Sequence, residues 1–156
     1  MAKSLVLDHV RVLTGNFRNF RGEVDKNYNR DGARFFSVAI DREQAEELIH
    51  EGWDIYIPEN PEYDPTLKVT ISRDNGPLPH GVVIKWVDPE TDTVTRVSDT
   101  DLLADMDDMG FRYVDLSISG YEWSVNGNSG TKAYLRRGYF VLYTEEDPFA
   151  ERYGGR

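Results

Sequence analysis

Residues 111–143 read FRYVDLSISGYEWSVNGNSGTKAYLRRGYFVLY. Apolar and aromatic residues alternate with polar ones at a period of two, and proline is absent, which is the pattern of half-buried strands and not of a helix. The spacing predicts strand from Phe111 to Ser119 and from Tyr121 to Val125, a turn at NGNSG, and strand from Lys132 to Tyr143. That last run is long enough to be shared around the corner of a barrel.

Upstream, SLVLDHVRVL at Ser4 to Leu13 places apolar residues on both faces and predicts a long strand at the centre of a sheet. Arg34 to Ile40, Leu67 to Ser72, Val82 to Val87 and Thr93 to Val97 also read as strands. Asn75-Gly76 in RDNGPLPHG suggests a hairpin joining the second and third of these, and DPETD a further pairing to the fourth. Trp53, Ile55 and Ile57 alternate as a short strand of their own. Two short helices interrupt the pattern. Asp41 with Gln44 makes a capping box before a stripe of Ala45, Leu48 and Ile49 that ends at Gly52, and Ser98 with Asp101 caps a second helix carrying Leu102, Leu103, Met106 and Met109 inward until Gly110. Many short strands, two short helices and frequent turns fit a mainly β domain, an OB-fold-like Greek-key barrel, with a β-sandwich as the alternative. The domain is expected to span 1–144 and an acidic tail 145–156.

A chain of 156 residues can bury a core without disulfides, and it has no cysteine to make them, which suits a cytoplasmic setting. No apolar run approaches the roughly 20 residues of a membrane span, and the charges in MAKSLVLDHVRVL come too early for a signal peptide.

No enzyme motif can be assembled. His9, His50 and His80 are scattered, and Asp88, Glu90 and Asp92 lack the glycine of a calcium loop. Asp101, Asp105 and Asp108 read as a solvated acidic helix face. GNSGTK at 127–132 sits between strands without phosphate-loop spacing. The expectation is a non-catalytic protein with no metal and no cofactor.

A net charge of −10 argues against a polyanionic partner, but the charge is unevenly spread. Phe17 to Phe36 and Tyr121 to Tyr143 each carry +2, leaving −14 elsewhere, and together they hold 11 of the 19 aromatic residues. Cations that follow phosphates, beside rings on which bases stack, are what a single-strand binder requires. The candidate contacts are therefore Phe17, Arg18, Phe20, Arg21, Lys26, Tyr28, Arg30 and Arg34 in a long Gly- and Asn-rich loop, and Tyr121, Trp123, Lys132, Tyr134, Arg136 and Arg137 on strands. Phe35, Phe36 and Phe140 are assigned to the core.

KNYNRDGARFFSVAI, LIHEGWDI and VDLSISGYEWSVNGNSGTKAYLRRGYFVL together resemble a group of bacteriophage early proteins that bind single-stranded DNA. The resemblance rests on Asn16, Gly22, Tyr28, Asn29, Gly32, Arg34 and Phe36, on Gly52 and Trp53, and on Tyr121, Trp123, Gly127, Gly130, Lys132, Ala133 and Tyr134. Phe35 stands where the group usually has Asn, and Gly120 where it usually has Pro. The resemblance implies an oligonucleotide-binding fold, single-stranded DNA as partner with slight sequence preference, and work in phage replication or recombination. An oligomer is compatible with this reading, and many single-strand binders carry an acidic tail through which replication or recombination proteins are recruited. Here Glu145, Glu146 and Asp147 lead to Phe149, but seven residues follow, including Arg152 and Arg156, where such tails normally finish at the aromatic. The competing functional class is a phage accessory or anti-defence protein that engages a host protein through its acidic surface.

Overall fold

A computed structural model of the chain describes residues 3–24 and 32–143. The strands are β1 (Lys3–Val10), β2 (Arg18–Asn19), β3 (Arg34–Ala39), β4 (Ile55–Tyr56), β5 (Thr66–Ser72), β6 (Val83–Asp88), β7 (Thr93–Val97), β8 (Phe111–Val125) and β9 (Asn128–Leu142). Helix α1 is Arg42–His50 and α2 is Thr100–Ala104, continued by a 3-10 turn over Asp105–Asp108.

The main path through the sheet runs β1-β8-β9-β5-β3-β2, antiparallel except where β5 meets β9. The path closes on itself. Near the end of β1 the chain pivots at His9, whose φ is 53°, and the register against β8 shifts between Leu7 and Val10. Val12 then bridges Val38 of β3, the Leu13 amide donates to the Ser37 carbonyl at 2.9 Å, and the Ala39 amide to the Arg11 carbonyl at 3.0 Å. The first strand is thus split between β8 and β3, and the ring β1-β3-β5-β9-β8 is a five-stranded Greek-key barrel of the oligonucleotide-binding type.

Its core is an aromatic cluster ringed by aliphatics. Phe20 stacks on Phe36 with centroids 5.6 Å apart, and Phe140 meets Phe36 and Phe111, each at 5.1 Å. Leu7, Val38, Leu67, Val69, Ile84, Val114, Ile118 and Leu135 fill the remainder.

Local chemistry explains the helices. Asp41 accepts from the Gln44 amide at 2.8 Å, as the capping box requires, and Ala45 and Leu48 face the core. Ile49, expected inside, is exposed. The second helix is capped by Asp99, which accepts from the Leu102 amide at 3.0 Å, one residue later than expected from Ser98. Leu103 and Met106 are buried beneath it.

Two strand expectations are corrected. Ser4 to Leu13 does not lie at the centre of a doubly covered sheet. Leu7 and Val12 point inward while Val6 is exposed, because one face of a barrel strand meets solvent. Leu67 to Ser72 and Val82 to Val87 form no hairpin either. The connection is drawn off to the second helix, where Gly76 N donates to Thr100 Oγ1 and Thr100 N to the Gly76 carbonyl, both at 2.9 Å. The chain returns alongside β9, so that β9 pairs in parallel first with β5 (Val69↔Ala133) and then with β6 (Val83↔Arg137 to Val87↔Val141). This is the strand shared around a barrel corner. The pairing of β6 with β7 is as expected.

The β8–β9 hairpin runs from Phe111↔Leu142 to Val125↔Asn128, with register shifts between Phe111 and Tyr113 and between Ser117 and Ile118, and turns at Asn126-Gly127. Both turn residues have positive φ, 51° and 82°, the signature of a tight two-residue turn. The expected five-residue turn NGNSG is therefore mostly strand, and its tip projects as a two-stranded ribbon.

Candidate nucleic-acid interface

Side chains alternate across each strand, so the residues between the core positions form an outer surface over β3, β5, β9 and β8. One register line crosses it as Phe35↔Thr70, Thr70↔Tyr134 and Tyr134↔Ser119. The adjacent line holds Ser37↔Lys68 and Lys132↔Tyr121. Phe35, Tyr134 and Tyr121 are thus laid across neighbouring strands with Lys68 and Lys132 beside them. Lys68 Nζ lies 4.3 Å from the Phe35 ring centroid, and Tyr121 meets Tyr134 edge-on at 6.3 Å. Tyr121 is 61% exposed and Tyr134 half-buried.

Trp123 continues this face along the ribbon and is pinned. Its Nε1 donates to Asp54 Oδ2 at 2.8 Å, and Asp54 Oδ1 accepts from the Thr131 amide at 3.2 Å. The Asp54 amide in turn donates to the Thr131 carbonyl at 2.9 Å. Gly130, directly opposite Trp123, makes room for this, because a Cβ there would stand 2.0 Å from Asp54 Oδ1. Gly130→Ala is expected to evict the carboxylate and cost about 1.5–3 kcal/mol, the usual range for hydrogen bonds to a charged group. Thermal denaturation measures the loss, and an unchanged melting curve would show that the brace contributes nothing.

Of the strand candidates, Tyr121, Trp123, Lys132 and Tyr134 share one face of the hairpin. Arg136 falls at a bulge, where Ile118↔Leu135 gives way to Ser117↔Arg137, and both Arg136 and Arg137 are exposed.

The loop candidates divide. Phe17 is 46% exposed. Phe20 is fully buried in the aromatic cluster and is corrected from contact to core. Arg18 is corrected likewise: its guanidinium donates to the carbonyls of Leu13 at 2.9 Å, Met109 at 2.7 Å and Met106 at 3.4 Å, and lies 5.1 Å from the Phe111 ring centroid. Burial lowers the Arg18 pKa from its ordinary value, and the charge of Asp107 opposes that shift. Arg34 is also buried, donating to the Asp74 carbonyl at 3.0 Å and to Asn75 Oδ1. Arg21 is paired with Asp108. The cause is the pairing of β2 with β3, Arg18↔Phe36 and Asn19↔Phe35, which imposes strand alternation on a stretch expected to be irregular. Lys26, Tyr28 and Arg30 lie outside the described residues, as does the acidic run Glu145 to Asp147.

Lys68, and the side of β3 on which Phe35 lies, were missed by the sequence reading. Phe35, assigned to the core, is buried at 8% exposure, but on the side of β3 opposite Phe36, with Thr70. Adjacent aromatics on a strand must point to opposite faces, so with Phe36 inward, Phe35 had to point outward. Lys68 sits between the buried Leu67 and Val69, and the same alternation would have found it.

The acidic second-helix region works on the protein itself. Asp107 accepts from the Phe20 and Arg21 amides at 2.8 and 2.9 Å, tying the start of the long loop to the barrel. Among the described residues, no three histidine or carboxylate side chains gather as a metal site. Nor is any described helix long and apolar enough to cross a membrane.

The profile of a protein family described as "Putative phage ssDNA-binding domain" matches residues 1–155. Among proteins with curated descriptions, none matches the sequence. The fold is similar to that of the single-stranded DNA-binding protein from bacteriophage Enc34. Its C-terminally truncated form aligns with a TM-score of 0.56 at 10% identity, covering 91% of this chain and 87% of that one. The same phage protein in complex with single-stranded DNA aligns with a TM-score of 0.51 at 9% identity, covering 94% and 89%. At these identities the likeness is one of fold.

Proposed function

The chain belongs to the phage single-stranded-DNA-binding domain family, and on that premise we propose that it holds single-stranded DNA across the outer face of β3, β5, β9 and β8, without catalysis, in phage replication or recombination. Bases stack on Tyr121, Tyr134 and Trp123, with Phe35 beneath the path, while phosphates follow Lys68, Lys132, Arg136 and Arg137. The single observation that carries this reading is the in-register line from Phe35 through Tyr134, with the Tyr121 ring against it and lysines alongside. In barrels of this type the second and third strands and the loops joining strands one to two and four to five are the usual oligonucleotide face. Here those elements include β3, β5 and the β8–β9 tip. The Enc34 protein of similar fold, solved with single-stranded DNA, supports the same reading. Sequence preference is slight, because every base offers a π face to a stacking ring.

The test is a titration of the protein with single-stranded DNA, RNA and duplex across a range of salt. Binding to the single strand should quench tyrosine and tryptophan fluorescence. Four phosphate contacts at about 0.7 each give a slope of log K against log salt of roughly −3 from the described residues alone. Equal affinity for duplex, or a flat salt dependence, would overturn the proposal.

A further inference from the structure

We propose that the β6–β7 hairpin carries a second stretch of the same single strand, beyond the face just described. The inference rests on that reading and adds a subsite to it. Past the bulge at Arg136, β9 turns Arg137 and Tyr139 outward, and β6 replaces β5 as its parallel neighbour. The registers Val83↔Arg137, Lys85↔Tyr139 and Lys85↔Arg96 put Lys85 beside Tyr139, with Arg137 two residues before the ring on its own strand and Arg96 one strand further out. Tyr139 is 40% exposed, and Lys85 Nζ lies 5.5 Å from its centroid.

Among the described residues Lys85, Arg96, Arg136 and Arg137 take part in no salt bridge, as is also true of Lys132 on the first face, whereas Lys3, Arg11 and Arg21 are matched to Glu122, Asp64 and Asp108. The carboxylate opposite Tyr139 in the register is Asp115, and it is already engaged by His9, whose amide donates to it at 2.7 Å and whose Nδ1 lies 3.2 Å away. The other acidic groups of the hairpin, Asp88, Glu90 and Asp92, lie at its turn, beyond Lys85 and Arg96.

In a chain of net charge −10, clustering like charges without counter-charges raises the free energy of the folded state unless a polyanion completes the site. Tyr139 stands five residues beyond Tyr134 on the same strand, a separation of roughly 16 Å at about 3.3 Å per residue. A strand of DNA leaving Tyr134 therefore meets Arg137 first, and then Tyr139 flanked by Lys85 and Arg96.

The experiment compares the full chain with Lys85→Gln/Arg96→Gln and with Tyr139→Ala, using oligothymidylates of about 5 and about 16 nucleotides, the ends of the usual site-size range for one such barrel. For the long oligonucleotide the double variant should lose about 1.4 from its salt slope, at roughly 0.7 per cation. Tyr139→Ala should weaken that binding at least about fivefold, the lower bound for one lost stack. The short oligonucleotide should bind both variants as it binds the parent. An unchanged slope and affinity for the long oligonucleotide, or equal weakening of both lengths, overturns the second subsite while leaving the first face standing. If the parent chain binds neither length, the functional reading itself falls and the subsite with it.

Discussion

Replacing Tyr121 and Tyr134 together with alanine should reduce affinity for single-stranded DNA by about 2–6 kcal/mol, at about 1–3 kcal/mol for each base stack removed. Even the lower figure is a roughly 30-fold rise in Kd. The two rings meet edge-on at 6.3 Å on neighbouring strands, and the Tyr121 ring is 61% exposed, so one path over the surface touches both. Neither ring belongs to the core cluster, and the far-ultraviolet circular dichroism and melting temperature of the double variant should stay close to those of the parent. The salt slope should also hold, because stacking and counterion release are separate contributions and no cation has been removed. An affinity within twofold of the parent, in a folded variant, would mean that DNA does not cross this face.

Phe20→Ala should act through the opposite route. The ring is fully buried against Phe36 and Phe140, with centroids 5.6 and 5.9 Å away, and truncating such a side chain costs about 3–5 kcal/mol in transfer and cavity terms. Against a typical total of about 5–15 kcal/mol that is a large fraction of the stability. At roughly 2–4 °C per kcal/mol for a domain of this size, the melting temperature should fall by about 6–20 °C. Phe17→Ala, three residues earlier and half in solvent, should shift it little. If Phe20→Ala melted like the parent and lost DNA affinity instead, Phe20 would be a contact and the packing described here would be wrong.

Phe17 and Phe20 show where sequence reasoning stops. Both belong to a loop dense in rings and cations, and composition treats them alike. What separates them is a two-residue strand, Arg18–Asn19, whose partner lies some seventeen positions downstream in β3. That pairing turns Arg18 and Phe20 inward, where carbonyls of Leu13, Met106 and Met109 receive the guanidinium. Phe35 is buried as its hydrophobicity implied, but alternation beside Phe36 puts it on the other face of β3. Lys132, Tyr134 and Tyr121 needed no correction of placement, because the hairpin is regular from Ile118↔Leu135 to Val125↔Asn128 and carries its own register there.

By itself the sequence determined the β character of the chain, the β8–β9 hairpin, the Asp41 cap, and the two segments where rings and cations concentrate. These follow from local physics: a side-chain period of two, a carboxylate within reach of free amides, and residues that tolerate positive φ. Only the tertiary structure decided that the first strand divides between β8 and β3, that β9 passes from β5 to β6, and that Arg18, Phe20 and Arg34 turn inward while Phe35 turns outward. Alternation says which residues share a face. Which face meets water depends on partners far away in the chain, and closing the barrel settles that choice.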